Sequence, residues 1–158
     1  MNSDYLFPPS KTFEELARLE SYIEVPWMEG RVSDKPLFTD GLECCKGIIL
    51  YDGSKAALLH LVPSQKDRAI VQAMIDQLDS SRGIEAAMVL SEIFPYEVRT
   101  EEFLREKDIP LRFLYEGPTI PNYDIHWGRS AYPKDLIVIP STGEVRICVK
   151  NEVVVFKF

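Results

Sequence analysis

The middle of the chain carries two short apolar runs, residues 47–51 and 55–62, which predict two neighbouring β-strands. Asp52 and Gly53 stand between the runs and are typical of a two-residue hairpin turn, because glycine accepts a positive φ at low cost. Pro63 closes the second run. The pattern therefore predicts an antiparallel hairpin at the centre of the fold.

One helix is predicted before this hairpin, and after it helices and strands alternate first and strands dominate later. Thr12 and Glu15 match a capping box, which predicts a helix that ends before Pro26, and residues 26–38 are predicted to be loop. The other predicted elements are helices at residues 65–79 and 100–107, strands at residues 85–90, 111–115, 136–139, 144–149 and 153–158, and a long loop at residues 117–130. This order predicts an α/β (α+β) fold, a single-domain sandwich of mixed, largely antiparallel sheets flanked by helices.

Composition restricts the function more than the fold. The chain has 158 residues, of which 46% are apolar and 27% charged, as in one globular domain. A formal net charge of −7 argues against nucleic-acid and anionic-membrane partners. No apolar stretch approaches the roughly 18 residues of a membrane span, and the N-terminus lacks the pattern of a secretory signal. We therefore expect a cytoplasmic protein without membrane insertion, although export by another route stays open.

The cysteines and histidines indicate reduced thiols and no metal site. Cys44, Cys45 and Cys148 are odd in number, and the adjacent pair is poorly placed to form a disulfide. The chain has only two histidines, His60 and His126, and no pattern with the spacing of a zinc site. We therefore expect a protein that uses no cofactor.

A two-residue turn would place Cys45 directly opposite His60, with Cβ atoms roughly 4.5–5.5 Å apart on one face. A slip of one residue would put them on opposite faces. At that separation the imidazole can take the thiol proton and later give it to a leaving amine, so the pair is a candidate activated nucleophile. Thr39, six residues before the cysteine, is a candidate for orienting the imidazole.

A structural interpretation of the same residues stays open. A buried cysteine at the start of a strand is usually a small apolar residue, and a lone histidine on an apolar strand is more often a core residue than a catalyst. Cys44 is expected to face away from Cys45, and Cys148 is expected in the core.

Several stretches then match one family. Residues 39–52 have the sequence Thr-Asp-Gly-Leu-Glu-Cys-Cys-Lys-Gly-Ile-Ile-Leu-Tyr-Asp, residues 57–63 carry a histidine before Leu-Val-Pro, and two further stretches lie at residues 127–129 and 138–145. Together they resemble the chemoreceptor glutamine deamidase family, CheD. The resemblance spans residues 37–149. It divides the chain into an N-terminal arm and helix, residues 1–36, and a CheD-like deamidase domain, residues 37–158.

The resemblance implies an activity. The CheD family, and the related catalytic domain of cytotoxic necrotizing factor toxins, hydrolyses a glutamine side-chain amide of a partner protein to glutamate and ammonia. By resemblance, Cys45 is the nucleophile, His60 the general base and acid, and Thr39 the orienting residue, with a thioester intermediate. The implied partner is a protein substrate that carries the target glutamine.

The chain also departs from the family pattern. Glu43 and Cys44 stand where the family has Gly-Ser, and Lys46 replaces an apolar residue after the nucleophile, where its charge could offset that of Glu43. Residues 91–95 replace a Gly-Gly stretch. These departures favour a divergent substrate and keep open an alternative, a catalytically silent protein-binding module on the same scaffold.

The long predicted loop holds secondary candidates. His126 and Trp127 could border a substrate cleft, although an exposed loop histidine is the simpler interpretation. Tyr123 is a candidate contact for a protein substrate, and Arg129 a candidate ion-pair partner of Asp124.

Overall fold

The computed structural model describes residues 11–43, 45–62, 67–90, 97–117 and 132–158. In chain order, its helices and strands are α1 (Thr12–Ala17), β1 (Ile23–Glu24), β2 (Gly30–Ser33), β3 (Leu37–Leu42), β4 (Lys46–Tyr51), β5 (Ala56–Leu61), α2 (Asp67–Ile75), β6 (Glu85–Leu90), α3 (Glu97–Glu106), β7 (Leu111–Tyr115), β8 (Lys134–Ile139), β9 (Glu144–Val149) and β10 (Glu152–Lys157). The predicted central strands and the C-terminal meander are therefore confirmed.

The strands form two sheets of five. The first sheet has the order β1-β3-β8-β9-β10, and the second has the order β2-β5-β4-β6-β7. Neighbouring strands are antiparallel except for two parallel pairs, β1 with β3 and β6 with β7. Both sheets are therefore mixed and largely antiparallel, as predicted.

The two sheets pack face to face, and helices cover both outer faces. An apolar inter-sheet layer includes side chains from both sheets, among them Leu37, Ile49, Leu58, Val89, Leu136 and Val138. Helices α2 and α3 cover the second sheet through Val71, Phe103 and Leu104, and α1 packs on the first sheet through Leu16. These layers confirm the predicted single-domain α+β sandwich.

Strand β4 is buried on both faces, and the alternation of its side chains decides which layer each residue joins. Ile49 and Tyr51 belong to the inter-sheet layer, whereas Ile48 and Leu50 face α2 and α3. Cys45 has the same parity as Ile49 and packs against the inter-sheet layer. The candidate nucleophile therefore lies on the side of the second sheet that faces the first.

The predicted two-residue turn between β4 and β5 is wrong, because four residues, 52–55, connect the strands. Gly47, not Cys45, consequently pairs with His60. The register differs from the prediction by two residues.

The Asp52 carboxylate explains the longer turn. It accepts hydrogen bonds from the backbone N–H groups of Ser54 at 2.9 Å, Lys55 at 2.7 Å and Asp79 at 2.9 Å. Burial favours the protonated acid, but these donors together hold the pKa of Asp52 below its ordinary value. Gly53 takes a φ of 97° within the same turn, which favours glycine.

The N-terminal segment differs most from the prediction. Helix α1 ends at Ala17, and the residues predicted as the end of the helix and as loop contribute β1 and β2. The capping box is also absent, because the Thr12 hydroxyl donates to the Asp135 carboxylate and Glu15 pairs with Arg146 at 2.9 Å. Tertiary partners replace the local capping bonds.

Strands β1 and β2 come from residues 1–36 and pair with β3 and β5, so this range and residues 37–158 share both sheets. The division at residue 36 into two units stays a prediction. None of the helices in the described ranges is long and apolar enough to cross a membrane.

Helix α3 begins at Glu97, three residues before its predicted start, so Thr100 lies within the helix. The Thr100 hydroxyl accepts a hydrogen bond from Lys46 Nζ at 2.9 Å and donates to Asp67 at 3.1 Å, and Lys46 also pairs with Asp67. These groups link β4 to α2 and α3 on the outer face of the second sheet. The charge of Lys46 is therefore compensated by Asp67, on the face opposite Cys45. It does not offset the charge of Glu43, as the sequence had suggested.

Replacing Gly47 by alanine should destabilise the protein. An added Cβ would overlap Leu136 Cδ1 and lie 3.1 Å from Leu42 Cδ1 in the inter-sheet layer. We expect a loss of about 1–3 kcal/mol in the free energy of unfolding, measured by urea denaturation. Adding Leu136→Val removes the overlapping Cδ1, so the double variant should lose less than the sum of the single losses. Strictly additive losses would contradict this contact.

Candidate active site between the sheets

A buried chain of hydrogen bonds fixes the side chain of His60. His60 Nδ1 lies 2.7 Å from the Thr39 hydroxyl, and that hydroxyl donates its proton to the Val25 carbonyl at 2.8 Å. A hydroxyl has only one proton, so Thr39 can only accept from His60, and Nδ1 must carry the hydrogen of the neutral ring. Nε2 is then the nitrogen with a lone pair, as a general base requires.

Thr39 has the same parity as Leu37 in β3 and therefore faces the inter-sheet layer, and a bulge in the strand follows it. Thr39 and Leu42 are three residues apart, yet they pair with β8 residues that are two apart. Gly41 supplies the extra residue with a φ of 67°, and its N–H donates to the Asp135 carboxylate at 2.9 Å. The bulge lets both Thr39 and Leu42 be fully buried, while Asp40 between them is exposed. Thr39 directly follows the segment predicted to be loop, and it lies within a strand.

The backbone of His60 is held by the turn before β2. Met28 N–H donates to the His60 carbonyl at 2.8 Å, and His60 N–H donates to the Glu29 carbonyl at 2.9 Å. Met28 has a φ of 68°, which is uncommon for a residue other than glycine. The backbone of His60 is therefore bound to the segment that precedes β3, whereas its ring is bound to Thr39 within β3.

Cys45 and His60 line one open pocket with a volume of about 480 Å³. The other residues that line it are Trp27, Asp40, Gly41, Glu43 and Val62. Cys45 is partly exposed, whereas His60 is buried. His60 Nε2 is buried and has no hydrogen-bond partner in the described part of the chain. The structure thus brings the thiol and the imidazole into one pocket without a hydrogen bond between Cys45 and Nε2.

The register error explains why the predicted pair still shares a face. A shift of two residues preserves the side on which each side chain lies, whereas a shift of one would reverse it. Cys45 is therefore a diagonal neighbour of His60 and not its direct partner, a relation in which Cα atoms are roughly 7–8 Å apart. Gly47, which pairs with His60, has no side chain to separate them.

Burial controls the protonation of His60. It lowers the pKa of the ring below the ordinary value of 6.5, and the negative charge of Asp40 opposes this shift only in part. The ring is therefore mostly neutral at pH 7. A neutral imidazole can accept a proton from a thiol.

The remaining sequence candidates divide into two groups. Cys148 lies in the core on β9, as expected, and burial raises its pKa to about 11, so it is a poor nucleophile. Neither it nor Cys45 forms a disulfide within the described residues. Outside the described residues lie Cys44 and the loop candidates Tyr123, Asp124, His126, Trp127 and Arg129, whose roles stay predictions.

Sequence reasoning missed the contribution of the N-terminal segment. Val25 accepts the Thr39 proton, and Trp27 forms part of the pocket wall. Both lie near Pro26, in a stretch interpreted as the end of a helix and a loop. A tryptophan followed by methionine in an otherwise polar loop was the only local signal, and it does not reveal which strand the loop contacts.

Comparison with known proteins adds no assignment, because no protein-family model and no curated protein matches the chain. In the described ranges, no three His, Cys, Asp or Glu side chains stand close enough together to hold a metal ion.

Replacing Thr39 by valine should destabilise the protein by about 1–3 kcal/mol, because it leaves the buried His60 Nδ1–H and the Val25 carbonyl without their partner. Thr39→Ser keeps the hydroxyl, so it should lose clearly less stability than Thr39→Val. Urea denaturation of both variants measures the difference. Equal stability of the valine and serine variants would contradict the proposed role of the hydroxyl.

Proposed function

We propose that the protein is a cysteine-dependent amidohydrolase that deamidates glutamine side chains of a partner protein. The observation that carries the proposal is the hydrogen bond between Thr39 and His60, which leaves His60 Nε2 unprotonated and unpartnered in the pocket that Cys45 lines. The resemblance of residues 39–52 to the CheD family supports the narrower choice of protein glutamine as substrate.

The reaction begins with proton transfer from the Cys45 thiol to His60 Nε2. The thiolate attacks the carboxamide carbon of glutamine and forms a tetrahedral intermediate. The imidazolium then gives its proton to the amide nitrogen, and the C–N bond breaks. Ammonia departs, and the acyl group stays bound to Cys45 as a thioester. Nε2 next takes a proton from water, and the resulting hydroxide attacks the thioester. The C–S bond breaks, which yields glutamate, and the cysteine regains its proton.

Thr39 acts in this scheme as a positioning residue. Its oxygen accepts a hydrogen bond from His60 Nδ1–H whether the ring is neutral or charged, so the imidazole keeps its orientation throughout the cycle. The open pocket suits a side chain presented by a folded partner, since the chain that carries the glutamine can stay outside. The scheme uses no cofactor. It requires a reduced thiol, so we place the reaction in a cytosol-like compartment.

The direct test is mass spectrometry of candidate protein substrates incubated with the enzyme. Deamidation adds about 1 Da per glutamine, and we expect this gain with the unchanged enzyme and a loss of at least about 100-fold in rate with Cys45→Ser. Cys44→Ser and Cys148→Ser are the matched controls and should keep the activity. Equal activity of Cys45→Ser and the unchanged enzyme would overturn the assignment. A Cys45 that does not react with iodoacetamide at neutral pH would favour the binding-module alternative.

The pH dependence follows from the lowered pKa of His60. Protonated His60 cannot accept the thiol proton, so activity should fall in acid with a midpoint below pH 6.5. Asp40→Asn removes the charge that raises this pKa and should move the midpoint to still lower pH. NMR titration of the His60 ring in both proteins, beside the pH–rate profile, measures the shift. A midpoint at or above pH 6.5 would contradict the effect of burial.

A further inference from the structure

The rim of the pocket is acidic and aromatic. Asp40 and Glu43 are both exposed, and Trp27 is 62% exposed beside them. No lysine or arginine is among the described residues that line the pocket, and neither carboxylate forms a salt bridge with a basic side chain of the described ranges. The rim therefore presents negative charge that no basic side chain of the described ranges pairs with.

The floor of the same pocket provides a second, independent indication of a ligand. His60 is only 3% exposed, and its Nε2 has no hydrogen-bond partner in the described part of the chain. A buried nitrogen in this state is costly unless a bound group supplies a donor. The pocket thus combines a site for a polar group at its floor with a site for a positive charge at its rim.

We propose that the pocket selects glutamine side chains that lie next to a lysine or arginine of the substrate. This inference rests on the proposed deamidase function and names its substrate class. The basic side chain would lie between the Asp40 and Glu43 carboxylates and the face of the Trp27 indole, which attract a cation by charge and by the cation–π interaction. The target glutamine would reach the floor, where Cys45 and His60 are.

Two further features agree with a basic substrate. The whole chain has a net charge of −7, which favours the approach of a positively charged segment at low salt. Glu43 also stands where the resembling family has glycine, so this carboxylate of the rim belongs to this chain and not to the family pattern. Both carboxylates are exposed, so their effect should weaken as salt screens them.

The first experiment tests the rim without requiring catalysis. In a Cys44→Ser background, the rate of Cys45 modification is measured with two methanethiosulfonate reagents, one carrying a trimethylammonium group and one a sulfonate. Relative to a small free thiol, we expect the cationic reagent to be favoured by about tenfold at low salt, and by less at high salt. Asp40→Asn with Glu43→Gln should remove most of this preference.

The matched control is Asp76→Asn with Glu102→Gln, which changes the net charge equally at two exposed positions, one directly after α2 and one on α3, outside the second sheet. This control should keep the preference. A reagent ratio equal to that of the free thiol, or an equal loss of preference in the two double variants, would overturn the inference.

The second experiment separates this inference from the proposed function. Ammonia release is compared for two glutamine peptides that differ only in lysine or glutamate beside the glutamine, and the lysine peptide should have a kcat/KM about tenfold higher. Equal rates on both peptides would overturn the basic-substrate inference and leave the deamidase proposal standing. A cationic preference in the reagent experiment with no ammonia from any peptide or protein would overturn the deamidase proposal and leave the cation site.

Discussion

The hydrogen bond from His60 to Thr39 is the contact on which the site depends. The Thr39 hydroxyl gives its only proton to Val25, so it can only accept from the ring, and this fixes which nitrogen of His60 is the base. The contact spans the inter-sheet layer, because Thr39 belongs to the first sheet and His60 to the second. Rotating the ring would leave a buried N–H without a partner, so the packing of the sandwich holds the base in place.

Local sequence patterns were sufficient for the strands that build the site. Strands β4, β5 and β6 follow from short apolar runs, because burial on both faces leaves little choice of conformation. Strand β7 and the C-terminal meander follow from apolar runs that turn residues bound. Cys45 and His60 were predicted to share a face, and both line the observed pocket because the register error was even. Thr39 was chosen as the orienting residue from its polarity and spacing, and it lies within hydrogen-bond distance of His60.

Contacts between distant residues account for what the sequence could not predict. The four-residue turn depends on the Asp79 N–H, 27 residues from Asp52, and Thr12 donates to Asp135 and not to its own helix. Lys134 stands two residues before the predicted strand at residues 136–139 but is fully buried, and burial lowers its pKa to about 8. No local pattern distinguishes such a lysine from an exposed one, because its environment is built by strands far away in the chain.

The tautomer of His60 tests the central claim most directly. Proton–nitrogen NMR correlation of the two histidine rings, with the His60 signals assigned by their loss in His60→Gln, reports which ring nitrogen carries the hydrogen at pH 7.5. The contact with Thr39 predicts a protonated Nδ1 and an unprotonated Nε2. A hydrogen on Nε2, with Nδ1 unprotonated, would contradict the arrangement and remove His60 as the base for Cys45.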